Sequence, residues 1–270
     1  MNLKSLLKPV DSHAHFELFG RKFEEEVENA KSCVSLVFDS ITEYRKAHVW
    51  KSWEKLKPHF GFVVPTLGFH PNEAKRGDWE RVRKVENFLL SHSSEIVAVG
   101  EIGLDYYHAR SEKERENQLE IFRHFLDLAL EIKKPVVVHA REAEEKAIRE
   151  VERAGVLAYF HAFANPNCVK LAQQVGFVGV STGIAFIPEV VEVAEKCDVE
   201  RILAETDSPY MSPFKGSLNN PCNVSVVVDN LEKLKGYGRE ELIEVLNSNA
   251  VNFFGLCKRL GGKFRLNSDL

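Results

Sequence analysis

Short runs of β-branched and other apolar residues recur along this chain, separated by charged stretches with helical periodicity. Strands are expected at 9–15 (PVDSHAH), 33–38 (CVSLVF), 61–67 (GFVVPTL) and 96–101 (IVAVGE). Four more are expected at 135–139 (PVVVH), 156–161 (VLAYFH), 177–182 (FVGVST) and 201–206 (RILAET). Helical patterns lie between them, at 43–57, 79–93 and 111–134. The last of these places Leu119, Phe122, Leu126 and Leu130 at helical spacing behind an N-cap serine, Ser111. Another, at 144–155, stops at Gly155, a residue that accepts the left-handed turn after a helix. Apolar strands that are each followed by a helix describe a parallel sheet with helices on its outer face. Eight such units in 270 residues fit a single α/β domain, a (β/α)8 TIM-type barrel over about 9–257 with a loose tail at 258–270. A doubly wound open sheet is the alternative, and no G-x-G-x-x-G follows the first strand to support its dinucleotide-binding form.

Composition then narrows the partners. The chain is 44% hydrophobic and 28% charged with a net charge of −4, as expected of a soluble globular protein. It lacks the basic excess with which proteins hold nucleic acid by counterion release, so any grip on a nucleic acid is local. The five cysteines, Cys33, Cys168, Cys197, Cys222 and Cys257, are scattered without a C-x-x-C pair. That pattern argues for a reducing compartment and against both a disulfide framework and a zinc–cysteine site. The opening MNLKSLLKPV has no long apolar run, and no later stretch reaches the length of a membrane span. A cytoplasmic protein with no membrane attachment and no obligate protein partner is expected.

The chemistry sits where the apolar runs end. His13 and His15 close the first run, Glu101 the fourth, His139 the fifth and His161 the sixth, while Asp207 follows the eighth. An H-x-H pair alone occurs often by chance, although alternation along a strand points both rings to one face about 6–7 Å apart. In a barrel all these strand ends meet at one mouth. Burying four imidazoles and two carboxylates there without partners costs several kcal/mol each, and a metal centre removes that cost. Six nitrogen and oxygen donors exceed the three that hold a single catalytic zinc and suit two divalent ions. Glu101 is the expected bridge, with His13, His15 and Asp207 on one ion and His139 and His161 on the other. Imidazole and carboxylate donors accept Zn, Mn, Co or Ni readily and Mg less so.

The motifs DSHAH, TLGFHP (66–71), GEIGLDYY (100–107), VVVHAR (136–141), YFHAF (159–163) and LAETDSPY (203–210) occur in an order that resembles the TatD family of metal-dependent hydrolases, within the amidohydrolase-like barrel superfamily. NNP (219–221) and NSNAVNFFGL (247–256) extend the match, which runs from about residue 10 to 257. The resemblance implies a (β/α)8 barrel with a two-metal site, deoxyribonuclease activity, and His13, His15, Glu101, His139, His161 and Asp207 as metal ligands. Two positions depart from the family pattern: Asn72 stands where many relatives have a second histidine, and Leu218 where many have an arginine.

With that resemblance, a metal-dependent phosphodiesterase is the leading expectation, its substrate DNA as single strands or strand ends. Asp207 would ligate and take the proton of the attacking water, with Glu101 the second catalytic carboxylate. His70 and Arg141 are expected to hold phosphate, Tyr106 or Tyr107 to stack a base, and Asp105 to orient a ligand histidine. A hydrolase of small esters, amides or phosphates using the same site is the alternative, and a non-catalytic metal-stabilised scaffold a second one.

Overall fold

The alternation along the chain closes on itself. This computed structural model describes residues 8–44, 47–260 and 263–266, with side chains up to residue 256. Eight parallel strands pair in chain order: β1 (Asp11–Ala14), β2 (Val37–Glu43), β3 (Val63–Phe69), β4 (Val99–Asp105), β5 (Val136–Arg141), β6 (Ala158–Phe160), β7 (Gly176–Val180) and β8 (Ile202–Ala204). A parallel bridge between Ala14 and Ser208 joins the first strand to the chain beyond the last. There His15 N donates to Ser208 O at 2.8 Å and Asp207 N to His13 O at 2.9 Å. The (β/α)8 barrel is therefore present and the open sheet is excluded. Around it lie α1 (Phe23–Cys33), α2 (Val49–Leu56), α3 (Pro71–Ala74), α4 (Trp79–Ser91), α5 (Glu112–Glu131), α6 (Glu144–Ala154), α7 (Val169–Val175), α8 (Pro188–Lys196), α9 (Val224–Lys235) and α10 (Arg239–Phe253). No helix among the described residues is long and apolar enough to cross a membrane.

Period two sorts the strand residues into two cores. One phase, with Val37, Val63, Val136, Val138, Phe160, Val178 and Ile202, packs against the helices. The other, with Phe38, Val64, Val137, Tyr159, Phe177 and Leu203, forms a second cluster with Phe253 and Phe254 at the end of α10. Phe254 stacks on Phe38 with ring centroids 3.7 Å apart, which plugs one end of the barrel. Further along, this second phase turns polar: Val137 is followed two residues on by His139, Tyr159 by His161, and Leu203 by Glu205 and then Asp207.

Several boundaries differ from expectation. The second strand runs 37–43 rather than 33–38, because its buried second half carries Asp39, Ser40, Thr42 and Glu43, which hide it from an apolar pattern. The helix expected at 43–57 begins at Val49; Glu43 ends β2, and residues 45–46 lie outside the described ones. In α5 Phe122 and Leu126 are buried as expected, but Leu130 is exposed and Ile121, Phe125 and Ala129 complete the packed face. Ser111 forms a full capping box with Glu114, and Gly155 takes φ 69°. The expected tail contains an antiparallel hairpin, β9 (Cys257–Leu260) with β10 (Lys263–Leu266); residues 261–262 and 267–270 lie outside the described ones.

The cysteine expectation is overturned. Cys33, at the end of α1, and Cys222, in the turn before α9, form a disulfide with a Cα–Cα distance of 5.4 Å. They are 189 residues apart, and the closing of the barrel brings the first and last helical connections together. The cysteine pattern therefore no longer argues for a reducing compartment. Cys168 and Cys197 are free, and the side chain of Cys257 lies outside the described ones.

Candidate metal centre

Glu101 stands inside β4 rather than at its end, since the strand runs on to Asp105. The β4–β5 register slips between Gly100 and Ile102, which leaves Glu101 as the extra residue of a bulge. A bulge re-aims the side chain it carries. The turned strand needs bare backbone around it: a Cβ on Gly68 would lie 2.5 Å from Gly100 C, and one on Gly103, whose φ is 143°, 2.0 Å from His139 O. β1 shows a comparable slip between Asp11 and Ala14, across the segment that carries His13.

The structure brings all six expected ligands together. The two oxygens of Glu101 face different histidine pairs. Oε1 lies 2.7 Å from His161 Nε2 and 2.9 Å from His139 Nδ1. Oε2 lies 3.6 Å from His15 Nε2 and 4.0 Å from His13 Nε2. Asp207 Oδ1 is 3.7 Å from Nε2 of both His13 and His15, whose own Nε2 atoms are 3.1 Å apart. Three overlapping triads have donor atoms within 4.8 Å of one another: His13–His15–Glu101, His13–His161–Asp207 and His70–Glu101–His139. His15 Nδ1 lies 3.0 Å from Ser40 O, a group that can only accept, so the ring proton sits there and Nε2 offers its lone pair to the cluster. Burial and the neighbouring imidazoles push His13 well below its usual pKa, so it stays neutral. Burial opposes the charge on Glu101, but His161, His70 and His139 hold it well below the usual carboxylate range. Against burial, Glu17, Glu101 and Asp207 raise the pKa of His15 to about 10, and Asp105 and Glu101 raise that of His139 to about 9, so without a metal protons hold the place of cationic charge. Imidazoles converging on carboxylates in this way are a donor set that fits divalent cations.

A second layer holds these side chains. Asp11 accepts from Thr206 N at 2.9 Å and Thr206 Oγ1 at 2.6 Å, tying β1 to the residue before Asp207. Glu205 accepts from Ala162 N and pairs with the Tyr159 hydroxyl beneath the cluster. Asp105 Oδ2 lies 3.4 Å from His139 Nε2, 3.2 Å from Asn72 Nδ2 and 2.7 Å from His108 Nδ1. Asp105 was legible from its place in GEIGLDYY. Asp11, Glu205 and His108 were missed, although His108 follows Asp105 at a spacing that lets a turn bring the two together.

The substrate-side expectations divide. The cluster lines a cavity of about 510 Å³ that His70, His108, Arg141, Tyr44 and Tyr210 also line. His70 Nδ1 accepts the Asn72 N–H at 3.0 Å, which leaves its proton on Nε2, 3.5 Å from Glu101 Oε1. Burial lowers its pKa to about 3, so it is a neutral donor. The Arg141 guanidinium lies 3.8 Å from the centre of the Tyr107 ring. Tyr106 is not brought to this cavity: it lies under Arg115 and lines a separate depression beside α6. Adjacent residues leave the strand end in opposite directions, and it is Tyr107 that meets Arg141. Asn72 bonds Asp105, and Leu218 is exposed on the connection between β8 and α9.

A family model described as TatD related DNase matches residues 10–255. An uncharacterized metal-dependent hydrolase of Methanocaldococcus jannaschii is 34% identical over 92% of this chain and 97% of its own length. A human deoxyribonuclease is 26% identical over 93% of this chain and 96% of its own. The crystal structure of a TatD homologue from Escherichia coli superposes with a TM-score of 0.82 at 24% identity, covering 91% of this chain and 97% of that one.

Proposed function

Because the chain belongs to the TatD family of metal-dependent hydrolases, we propose that it cleaves phosphodiester bonds of DNA, working from a strand end or on single strands. In this reading His13, His15, Glu101, His139, His161 and Asp207 would hold two divalent cations. The observation that carries it is the division of Glu101, whose Oε2 faces His13 and His15 while Oε1 faces His139 and His161. Such ions, when bound, lower the pKa of water and offset charge on phosphoryl oxygens.

The chain's own groups supply the rest. Asp207 accepts the proton of the attacking water; burial raises its pKa, which makes its carboxylate a stronger proton acceptor. Neutral His70 donates Nε2–H to a phosphoryl oxygen. Arg141, braced on Tyr107, offers paired N–H groups to a second oxygen. Tyr44, whose ring lies against that of His70 with centroids 4.3 Å apart, and Tyr210 add aromatic surface to the cavity wall, against which a base can pack.

The test is hydrolysis of 3′-labelled and 5′-labelled DNA oligonucleotides by protein stripped of metal and then reloaded with Mn, Zn, Co, Ni or Mg. Laddering from one end by the reloaded protein, lost by at least about 100-fold in His139→Ala and Asp207→Ala, is the expected result. Intact DNA beside tight metal binding would overturn the nuclease reading. It would move the substrate to a small ester or phosphate, which a cavity of about 510 Å³ also accommodates.

A further inference from the structure

His108 follows Asp105 in the turn between β4 and α5, and the two form a fixed dyad. Its Nδ1 lies 2.7 Å from Asp105 Oδ2, and its backbone N–H donates to Asp105 Oδ1 at 3.0 Å. A carboxylate only accepts, so Nδ1 carries its proton toward Asp105 and Nε2 is turned away from the anchor. Nε2 makes no hydrogen bond among the described residues. Asp105 is 1% exposed while the His108 side chain is 43% exposed, so the pair runs from the interior out to the cavity that Glu101, His139 and Asp207 also line. The other face of Asp105 approaches His139 Nε2 at 3.4 Å, which places the His108 ring one carboxylate away from the cluster. Asn72 donates to the same Asp105 oxygen and lies 3.5 Å from the His108 ring. Lys75 caps the His108 carbonyl at 3.1 Å.

An imidazole whose Nδ1–H is held on a buried carboxylate has its ring fixed with Nε2 turned outward, the position from which a histidine exchanges a proton. Of the groups around the cavity, Asp207 and Glu101 accept protons and neutral His70 cannot give up its only ring proton without becoming an anion. Cleavage of a phosphodiester leaves an alkoxide that needs a proton, and His108 presents a ring nitrogen to the cavity from a fixed anchor.

We propose that His108, held on Asp105, is the proton donor to the departing oxygen. The oxygen of the attacking water bonds to phosphorus and its proton goes to Asp207. The bond from phosphorus to the ester oxygen breaks with its electron pair on that oxygen, which takes the Nε2 proton of His108. The ring is left neutral with Nδ1–H still on Asp105, and solvent restores the lost proton. This assignment rests on the phosphodiesterase reading above.

Two diesters of thymidine 5′-phosphate test it with the full chain and manganese restored. One is the p-nitrophenyl ester, whose phenolate departs unaided, and the other is the dinucleotide thymidylyl-thymidine, whose alkoxide does not. His108→Gln and His108→Ala are expected to lower kcat on the dinucleotide by about 100-fold or more and to change it on the nitrophenyl ester by less than about 3-fold. Equal losses on both esters, or no loss on either, in a wild-type background that cleaves both, overturn the assignment of His108 alone. A wild type that cleaves neither ester, or only the nitrophenyl ester, overturns the DNA reading and this assignment with it.

Discussion

Asp11 opens the DSHAH run and joins the first strand to the last. Its two oxygens accept from Thr206 N and Oγ1, 195 residues away, so Asp207 reaches the cluster from a clamped backbone. Burial pushes its pKa from 3.8 up to about 7 against those hydrogen bonds. The folded state therefore keeps a proton that the unfolded state has already lost, and stability from this group falls as pH rises from 3.8 toward about 7. In metal-free protein, Asp11→Asn keeps an oxygen that accepts from Thr206 N, can donate its Nδ2–H to Thr206 Oγ1, and removes that loss. The melting temperature of the variant relative to wild type is expected to rise between pH 4 and pH 7, followed by circular dichroism; a flat difference would contradict a raised Asp11. His13, His15, His139 and His161 were readable because each interrupts an apolar run at a defined place. Asp11 was not, since its partner Thr206 lies 195 residues away, and neither was His108, since its seat on Asp105 depends on how the turn after β4 folds.

Among the elements, β4 is the one whose close packing sets the aim of a candidate ligand. The bulge at Glu101 aims the carboxylate inward, and Gly103 lets β5 pass against the strand. Adding a methyl in Gly103→Ala meets the His139 carbonyl at a φ of 143°, which forces both the strand and a candidate ligand to move. A loss of roughly 3 kcal/mol in urea unfolding is expected, with weaker metal uptake by titration calorimetry. Wild-type stability in this variant would mean that β4 and β5 can separate at no cost. Helices α5 and α6 were legible to within a few residues because capping box and stop glycine are local devices. The second strand was misplaced by several residues, because its mouth half is built from Asp39, Ser40, Thr42 and Glu43. Those residues are buried by the barrel, and a polarity pattern assigns them to a loop.

At the scale of the whole molecule, the Cys33–Cys222 disulfide closes nearly the entire barrel as one loop. Chain entropy alone gives such a link about 5 kcal/mol, and measured bridges reach about 2–5 kcal/mol. Cys222→Ser, or wild type under reductant, is expected to lose that amount in guanidinium unfolding, with secondary structure retained at 25 °C by circular dichroism. Identical unfolding curves with and without reductant would show that the bridge contributes nothing. The sequence by itself determined the architecture: eight apolar runs with period two, each followed by an amphipathic helix, have one economical closed arrangement. It also determined which donors gather at the mouth, because strand phase and strand ends are local properties. Only the tertiary structure decided the disulfide, the bulge that splits Glu101 between two histidine pairs, the departure of Tyr106 from the cavity, and the seat of His108 on Asp105. The first three depend on contacts between segments set side by side by barrel closure and register, neither of which is written in the order of residues, and the last on the path of a turn that a polarity pattern leaves open.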